Sequence, residues 1–163
     1  MLKPNSLRAH LTRAVPALVR DPDKLSVFVK HGKLVTTGAG SLSFEYRYTL
    51  NLLLLDYAEH ADAIIVPLLA WLRDNQAEMA ENPDQREKAL RFEVDFLNAK
   101  TVDLVIEVDL TERVLVLPRR GSAGFDVKHV GEPPHPGATP AGELWEFYLR
   151  DELLARWDDR PAT

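Results

Sequence analysis

One short segment of the chain concentrates residues that could bind a metal ion. Asp56, Glu59, His60 and Asp62 lie within the stretch DYAEHAD. Carboxylates and an imidazole are ligands for divalent cations, and a bound cation could activate water for hydrolysis. Acidic residues between a strand and a helix also cap the helix and solvate the loop. The Asp56–Asp62 loop therefore leaves open a small metal-dependent hydrolase or sugar-binding domain, but a structural loop is the favoured interpretation.

The rest of the sequence lacks the patterns that catalysis requires. Its five histidines show no paired ligand spacing, and no nucleophile elbow, phosphate-binding loop or dinucleotide fingerprint is present. The absence of cysteine excludes a disulfide framework and a thiolate metal site. We therefore predict no catalytic residue, no metal, no cofactor and no enzyme activity.

Composition and charge restrict the class of protein. With 163 residues the chain is long enough for one globular domain with a real core. The segment Met1–Ser6 does not resemble a signal peptide, and the longest apolar run is well short of the ~20 residues that cross a bilayer. The net charge of −5 and the scattered basic residues argue against nucleic-acid binding. We expect no membrane partner and no specific DNA contact.

Hydrophobic periodicity predicts helices near the N-terminus and in the middle of the chain. The first helix has Asn5 or Ser6 as its N-cap, and Pro16 should end or kink it near Val15. A central helix should have Asp62 as its N-cap, and Pro67 is tolerated there only near the first turn. The apolar residues at helical spacing are Leu7, Leu11, Ala14 and Leu18 in the first helix, and Ile65, Leu68, Leu69 and Leu72 in the second.

Alternation of apolar and polar residues predicts strands in the remaining core. Residues 25–29 and 33–37 read as a hairpin with His31-Gly32 at its turn. Residues 90–96 and 102–110 read as half-exposed antiparallel strands with one acidic face. The acidic residues of that face are Glu93, Asp95, Asp103, Glu107 and Asp109.

The longest predicted strand changes character midway. From Phe44 to Leu55 the even-numbered residues are apolar and share one face. The odd-numbered residues are polar in the first half, but Leu53 and Leu55 are apolar in the second. The second half should therefore be covered on both faces, by a helix of the same chain or by another subunit. Part of so long a strand should project beyond the domain's own core.

The end of the chain has a different composition. Residues 121–141 should form a stiffened linker or arm that cannot join a sheet interior, with the prolines concentrated in residues 132–140. Beyond it, Trp145, Leu149, Leu153 and Trp157 fit a helical stripe, while Trp145, Phe147 and Leu149 fit a strand with Arg150-Asp151 as a turn. Periodicity leaves both structures open. The arm could carry the aromatic end onto a neighbouring subunit or a partner, or the tryptophans could cover the chain's own sheet.

These elements predict an α+β fold, with a mainly antiparallel twisted sheet flanked by an N-terminal helix and a central helix. We assign residues 1–130 to the core domain and 131–163 to a proline-rich arm with an aromatic C-terminal segment that is not an independent domain. The excess of apolar strand surface predicts self-association, and the aromatic end is a second candidate contact. The candidate interface residues are Phe44, Tyr46, Tyr48, Trp145, Phe147 and Trp157.

Six segments, spread in order along nearly the whole chain, resemble the tail completion protein R family of P2-like contractile-tailed bacteriophages. They are MLKPNSLRAHLTRAV, SLSFEYRYTLN, IIVPLLAWLRDNQ, LTERVLV, GEPPHP and ARWDD. The family has an Asn-Gly type of turn between two short terminal strands, whereas this chain has LRDELL there.

The resemblance implies a structural virion protein without catalytic residues that acts late in tail assembly, in the bacterial host cytoplasm. The chain also resembles, more distantly, the tail terminators, which form sixfold rings on the tail tube. This second resemblance implies a hexameric ring at the head-proximal end, in contact with the tail tube or sheath and with head-tail connector proteins. DNA would pass through without specific binding. Part of the acidic strand face could line that channel, or the carboxylates could solvate an outward face.

Overall fold

The computed structural model describes residues 1–38, 40–121, 123–133 and 142–158. None of the helices in this part of the chain is long and apolar enough to span a membrane. The helices are α1 (Lys3–Ala14), α2 (Pro16–Arg20), α3 (Asp62–Asn75), α4 (Ala77–Glu81) and α5 (Pro83–Arg86). The strands are β1 (Leu25–Thr36), β2 (Phe44–Tyr57), β3 (Leu90–Phe96), β4 (Val102–Pro118), β5 (Phe125–His129), β6 (Leu144–Leu149) and β7 (Glu152–Asp158).

The predicted α+β class is confirmed. Strands pair in the order β1-β2-β4-β3, all antiparallel, and β5 extends the sheet along the end of β4. Helices α1 and α3 lie on one face of this sheet, which we call the helix side, and the core forms between them. The other face is the open side. Strands β6 and β7 form a separate hairpin.

Proline separates the first two helices as predicted. Helix α1 ends at Ala14, and Val15 has the extended backbone that a following proline favours, with φ −99° and ψ 116°. The predicted N-cap is wrong, because α1 begins at Lys3 without a side-chain cap from Asn5 or Ser6. Ser6 instead accepts a 3.1 Å hydrogen bond from Trp71 Nε1 and so ties α1 to α3.

The predicted turn at His31-Gly32 is also wrong. Strand β1 continues from Leu25 to Thr36 and pairs with β2 along this length, with one register shift between Val29 and His31. The extra residue, Lys30, forms a β-bulge that lets both halves of the strand pair with the same neighbour. A bulge and a turn use similar residues, so the local sequence could not distinguish them.

Strand β2 has the predicted faces, but the cover on its second half differs. Leu50, Leu52 and Leu54 are fully buried on the helix side. Leu53 is half-buried on the open side, and Leu55 is 48% exposed. Among the described residues no helix covers Leu55, because α3 packs on the opposite face. Of the two covers that the sequence allowed, a helix of the same chain is not found at Leu55 in the described residues, and cover by another subunit stays a prediction.

Helix α3 carries its proline further from its start than expected. Pro67 lies in the second turn, buried against the core, and the residue before the helix is Ala61 rather than Asp62. The carbonyl of Pro67 lies 3.1 Å from His10 Nε2, a contact that joins α3 to α1. Because proline has no backbone N–H, Pro67 cannot donate the helical hydrogen bond that the carbonyl of Ala63 would otherwise accept.

The C-terminal segment is a β-hairpin, so of the two structures that the sequence allowed, a helix and a pair of strands, the pair of strands is the one that forms. Arg150 and Asp151 form its turn with positive φ values of 48° and 69°. Leu154, Ala155 and Trp157 join the hydrophobic core, where β7 packs against α1 and α3. Most of the predicted proline-rich arm, residues 134–141, lies outside the described residues.

Candidate interaction surfaces

The six predicted interface residues occupy different environments. Tyr48 and Trp157 are only 5% and 7% exposed and belong to the chain's own core. Phe147 is partly buried against that core. Trp145 remains 39% exposed. The interface itself stays a prediction, and only the exposed members of the set can contact a partner directly.

Tyr48 contacts the buried side chain of Glu112, which holds the N-terminal residues in place and which we call the anchor. Its hydroxyl donates a 2.6 Å hydrogen bond to Glu112 Oε1, and Glu112 also accepts bonds from the backbone N–H groups of Leu2 at 2.7 Å and Lys3 at 3.3 Å. Burial tends to raise the pKa of Glu112, but these hydrogen bonds outweigh burial and lower it. His129 Nδ1 lies 3.3 Å from the second carboxylate oxygen. A residue of β4 thus supplies the acceptors that α1 lacks at its own start.

Beyond this anchor the sheet extends past the helices. We call this part the distal end: the helix-side residues at the far ends of β1, β2, β4 and β5, among them Leu34, Phe44, Tyr46, Val116, Phe125 and Val127. Phe44 and Tyr46 pack edge to face with ring centroids 4.9 Å apart. Leu34, Phe125 and Val127 are 62%, 54% and 65% exposed. The exposed apolar residues of the distal end thus belong to β1 and β5, whereas Phe44 and Tyr46 of β2 are half-buried.

Sequence reasoning missed half of the distal end. Strand β5 was not predicted, because residues 121–141 were expected to form a linker or arm. Phe125–His129 instead pairs with the end of β4. The alternation of Phe125, Val127 and His129 with Asp126 and Lys128 was the available signal.

A second apolar surface lies where the hairpin meets α3. Val66, Leu69 and Ala70 of α3 line a groove with Trp145 and Phe147 of β6. Leu69 is 46% exposed. Trp145 therefore stands at the edge of a groove built from the chain's own residues.

The open side of the sheet carries a ladder of ion pairs that crosses four strands. Lys30 of β1 lies 3.2 Å from Glu107 of β4, and Arg91 of β3 lies 3.3 Å from the same carboxylate. Arg91 also pairs with Asp109 through bonds of 2.9 and 3.0 Å, and Asp109 accepts a 2.7 Å bond from Thr49 of β2. The hydrogen bond from Lys30 lowers the pKa of Glu107, and the bonds to Asp109 raise that of Arg91.

This ladder changes the interpretation of the acidic face. The strand register places all five predicted carboxylates on the open side. Glu107 and Asp109 are neutralised by Lys30 and Arg91. Asp103 accepts a 2.9 Å bond from the Asp56 backbone N–H. Among the described residues, the three carboxylates of this face that form no ion pair are Glu93, Asp95 and Asp103. They lie on the same side of the sheet as Leu53 and Leu55.

The Asp56–Asp62 loop does not gather its acidic residues. Glu59 forms an ion pair with Arg20 at 3.1 Å, and the backbone N–H of Asp56 donates a hydrogen bond to Asp103. His60 Nδ1 accepts a 3.2 Å bond from the Asp62 backbone N–H. Throughout the described ranges, no three histidine, aspartate or glutamate side chains converge as metal ligands would. No observation supports the hydrolase alternative.

Comparison with known proteins gives a specific assignment. The model of the family described as P2 phage tail completion protein R (GpR) matches residues 1–133. Tail completion protein R of Escherichia phage P2 is 43% identical over 159 residues, which cover 98% of this chain and 100% of the relative. No solved structure matches. The chain belongs to the P2 phage tail completion protein R family.

Proposed function

We propose that the protein caps the head-proximal end of the tail tube as a hexameric ring and so enables the head to join. Membership of a tail completion family, with a relative that aligns over 98% of the chain, carries the structural role. The ring, its position and its contacts with tube, sheath and connector proteins are our proposal. Assembly would take place in the host cytoplasm, and the protein would remain in the virion tail.

The distal end is our candidate for the contact with the tail tube. Its exposed apolar side chains, Leu34, Phe125 and Val127, lie on one face of a projecting sheet rather than scattered over the surface. Contiguous exposed apolar surface of this kind marks interaction sites. Phe44 and Tyr46 form the inner border of the same surface and retain their predicted interface role there.

A pair of substitutions on opposite faces of β4 and β5 tests this contact. Val127 lies on the apolar face, and Leu117, 50% exposed, lies near it on the other face. We expect Val127→Asp to abolish phage yield when it replaces the wild-type gene, because a carboxylate in an apolar interface loses its hydration. Leu117→Asp should leave the yield near that of wild type. Equal yields from the two variants would contradict the assignment of the distal end.

Location and copy number test the ring. In a reconstruction of tails isolated from a lysate, we expect six copies around the tube at the end nearest the head. Density on the head side of the joint would identify a connector instead. A single copy per tail, or a position at the other end, would overturn the proposal.

A further inference from the structure

Two surfaces on opposite sides of the chain have complementary charge. The first, which we call the acidic patch, lies on the open side of the sheet. Its centre is apolar, with Leu55 and Phe28 48% and 46% exposed. The cross-strand row Leu53, Val105 and Glu93 connects this centre to the acidic rim formed by Glu93, Asp95 and Asp103.

The second surface, the arginine groove, lies between α1, α2 and β7. Its volume is about 970 Å³, and its apolar lining includes Ala9, Pro16, Val19 and Leu153. Val19 is 61% exposed. The arginines around it are Arg8, Arg13, Arg20 and Arg156. Because Leu7 and Leu11 of α1 face the sheet, the groove points away from it.

The charges on both rims are largely available to a partner. Within the described part of the chain, Arg8 and Arg13 make no ion pair, and neither do Glu93 and Asp95. Arg20 forms an exposed ion pair with Glu59, a type of pair that contributes little stability. A protein of net charge −5 that collects arginines around one apolar groove has a surface suited to an acidic partner.

We propose that the acidic patch of one copy docks into the arginine groove of the next copy. The apolar residues of the patch would enter a groove lined by small apolar residues, while the charged rims fix the register. The two surfaces differ, so the contact is head to tail, and such contacts generate closed rings when the rotation per subunit closes. The inference rests on the proposed ring and specifies which surfaces form it.

This contact also gives the apolar second half of β2 its missing cover. Leu53 and Leu55 would be buried by the neighbouring copy rather than by a helix of the same chain. The proposed contact also places the carboxylates of the acidic rim between subunits instead of along the channel.

Cysteine cross-linking tests the contact in assembled tails, since the chain has no cysteine of its own. We expect the double variant Leu55→Cys, Val19→Cys, treated with a short bis-maleimide, to give a ladder at multiples of 18.4 kDa that ends at the closed ring. Each single variant should give no ladder. The matched control is Leu55→Cys with Leu69→Cys, because Leu69 is 46% exposed but lies outside the groove.

Charge reversal at each surface provides an independent measurement. Arg13→Glu or Glu93→Arg, introduced into the cross-linking variant, should lower the ladder yield by about tenfold, since like charges would meet at the rim. Arg120→Glu, an exposed control outside both surfaces, should leave the yield unchanged.

The outcomes separate this inference from the proposed ring. Tails with six copies but no ladder from the Leu55 and Val19 pair would overturn the head-to-tail contact and leave the ring intact. A ring with six copies and no ladder is the result expected if the acidic residues face the channel instead of the neighbouring subunit. A single copy per tail, or none at the tail end, would overturn both.

Discussion

At the scale of single residues, Glu112 is the most consequential side chain that the sequence did not single out. It is 5% exposed and accepts hydrogen bonds from two backbone N–H groups at the start of α1 and from Tyr48. We expect Glu112→Gln to lower the free energy of unfolding by about 1–3 kcal/mol, because the amide NH₂ replaces one of the two carboxylate oxygens and cannot accept the bonds made there. Urea unfolding of wild type and variant at neutral pH measures the difference. Glu93→Gln, exposed and without an ion pair in the described residues, is the matched control.

Glu112 also makes the free energy of unfolding depend on pH, and the direction of its shifted pKa gives the sign of that dependence. The folded state lowers the pKa of Glu112, so its contribution is present at neutral pH and is lost as the pH falls below about 4. The stability difference between wild type and Glu112→Gln should therefore shrink on acidification. A difference that is constant between neutral and acid pH would show that the carboxylate charge does not stabilise the anchor.

At the scale of elements, the C-terminal hairpin has a buried and an exposed tryptophan directly opposite each other. Trp157 of β7 is 7% exposed and Trp145 of β6 is 39% exposed. Trp157→Ala should cost about 3–5 kcal/mol of unfolding free energy, because it opens a cavity beside His10 and α3. Trp145→Ala should cost clearly less and reduce phage yield only if its groove contacts a partner. Thermal unfolding of the two variants makes the comparison, and equal losses would contradict the assignment of β7 to the core.

At the scale of the whole molecule, the charge distribution predicts weak interaction with DNA. A sixfold ring multiplies the formal charge of −5 by six, and the proposed contact covers the arginine groove. We expect no measurable binding of labelled duplex DNA to assembled rings at about 10 mM salt, where the Debye length of ~30 Å would reveal any attraction. Anisotropy titration provides the measurement. Tight binding by rings would contradict free passage of DNA, whereas binding only by an unassembled subunit, lost in Arg13→Glu, would locate the attraction in the groove.

The fold class and most of the elements could be predicted because their signals are local. Alternation over Phe44–Tyr57 and Leu90–Phe96 assigns the strands, and Pro16 fixes the end of α1. The bulge at Lys30 escaped prediction because it depends on pairing with β2, which is distant in the sequence. The sequence could not tell which aromatic residues remain exposed enough to contact a partner, since Tyr48 and Tyr46 look alike in sequence but differ in burial.

The sequence by itself determined which residues of each strand share a face, because the strand period is a property of the backbone. It also determined the resemblance to the tail completion family and the net acidic charge. Only the tertiary structure decided what covers each face: helices on one side of β2, a ladder of ion pairs on part of the other, and no described element at Leu55. It likewise decided that the terminal aromatic residues form a hairpin and that Trp157 is a core residue. The physical reason is that burial depends on which distant strands and helices pack together, and periodicity within one segment carries no information about its neighbours.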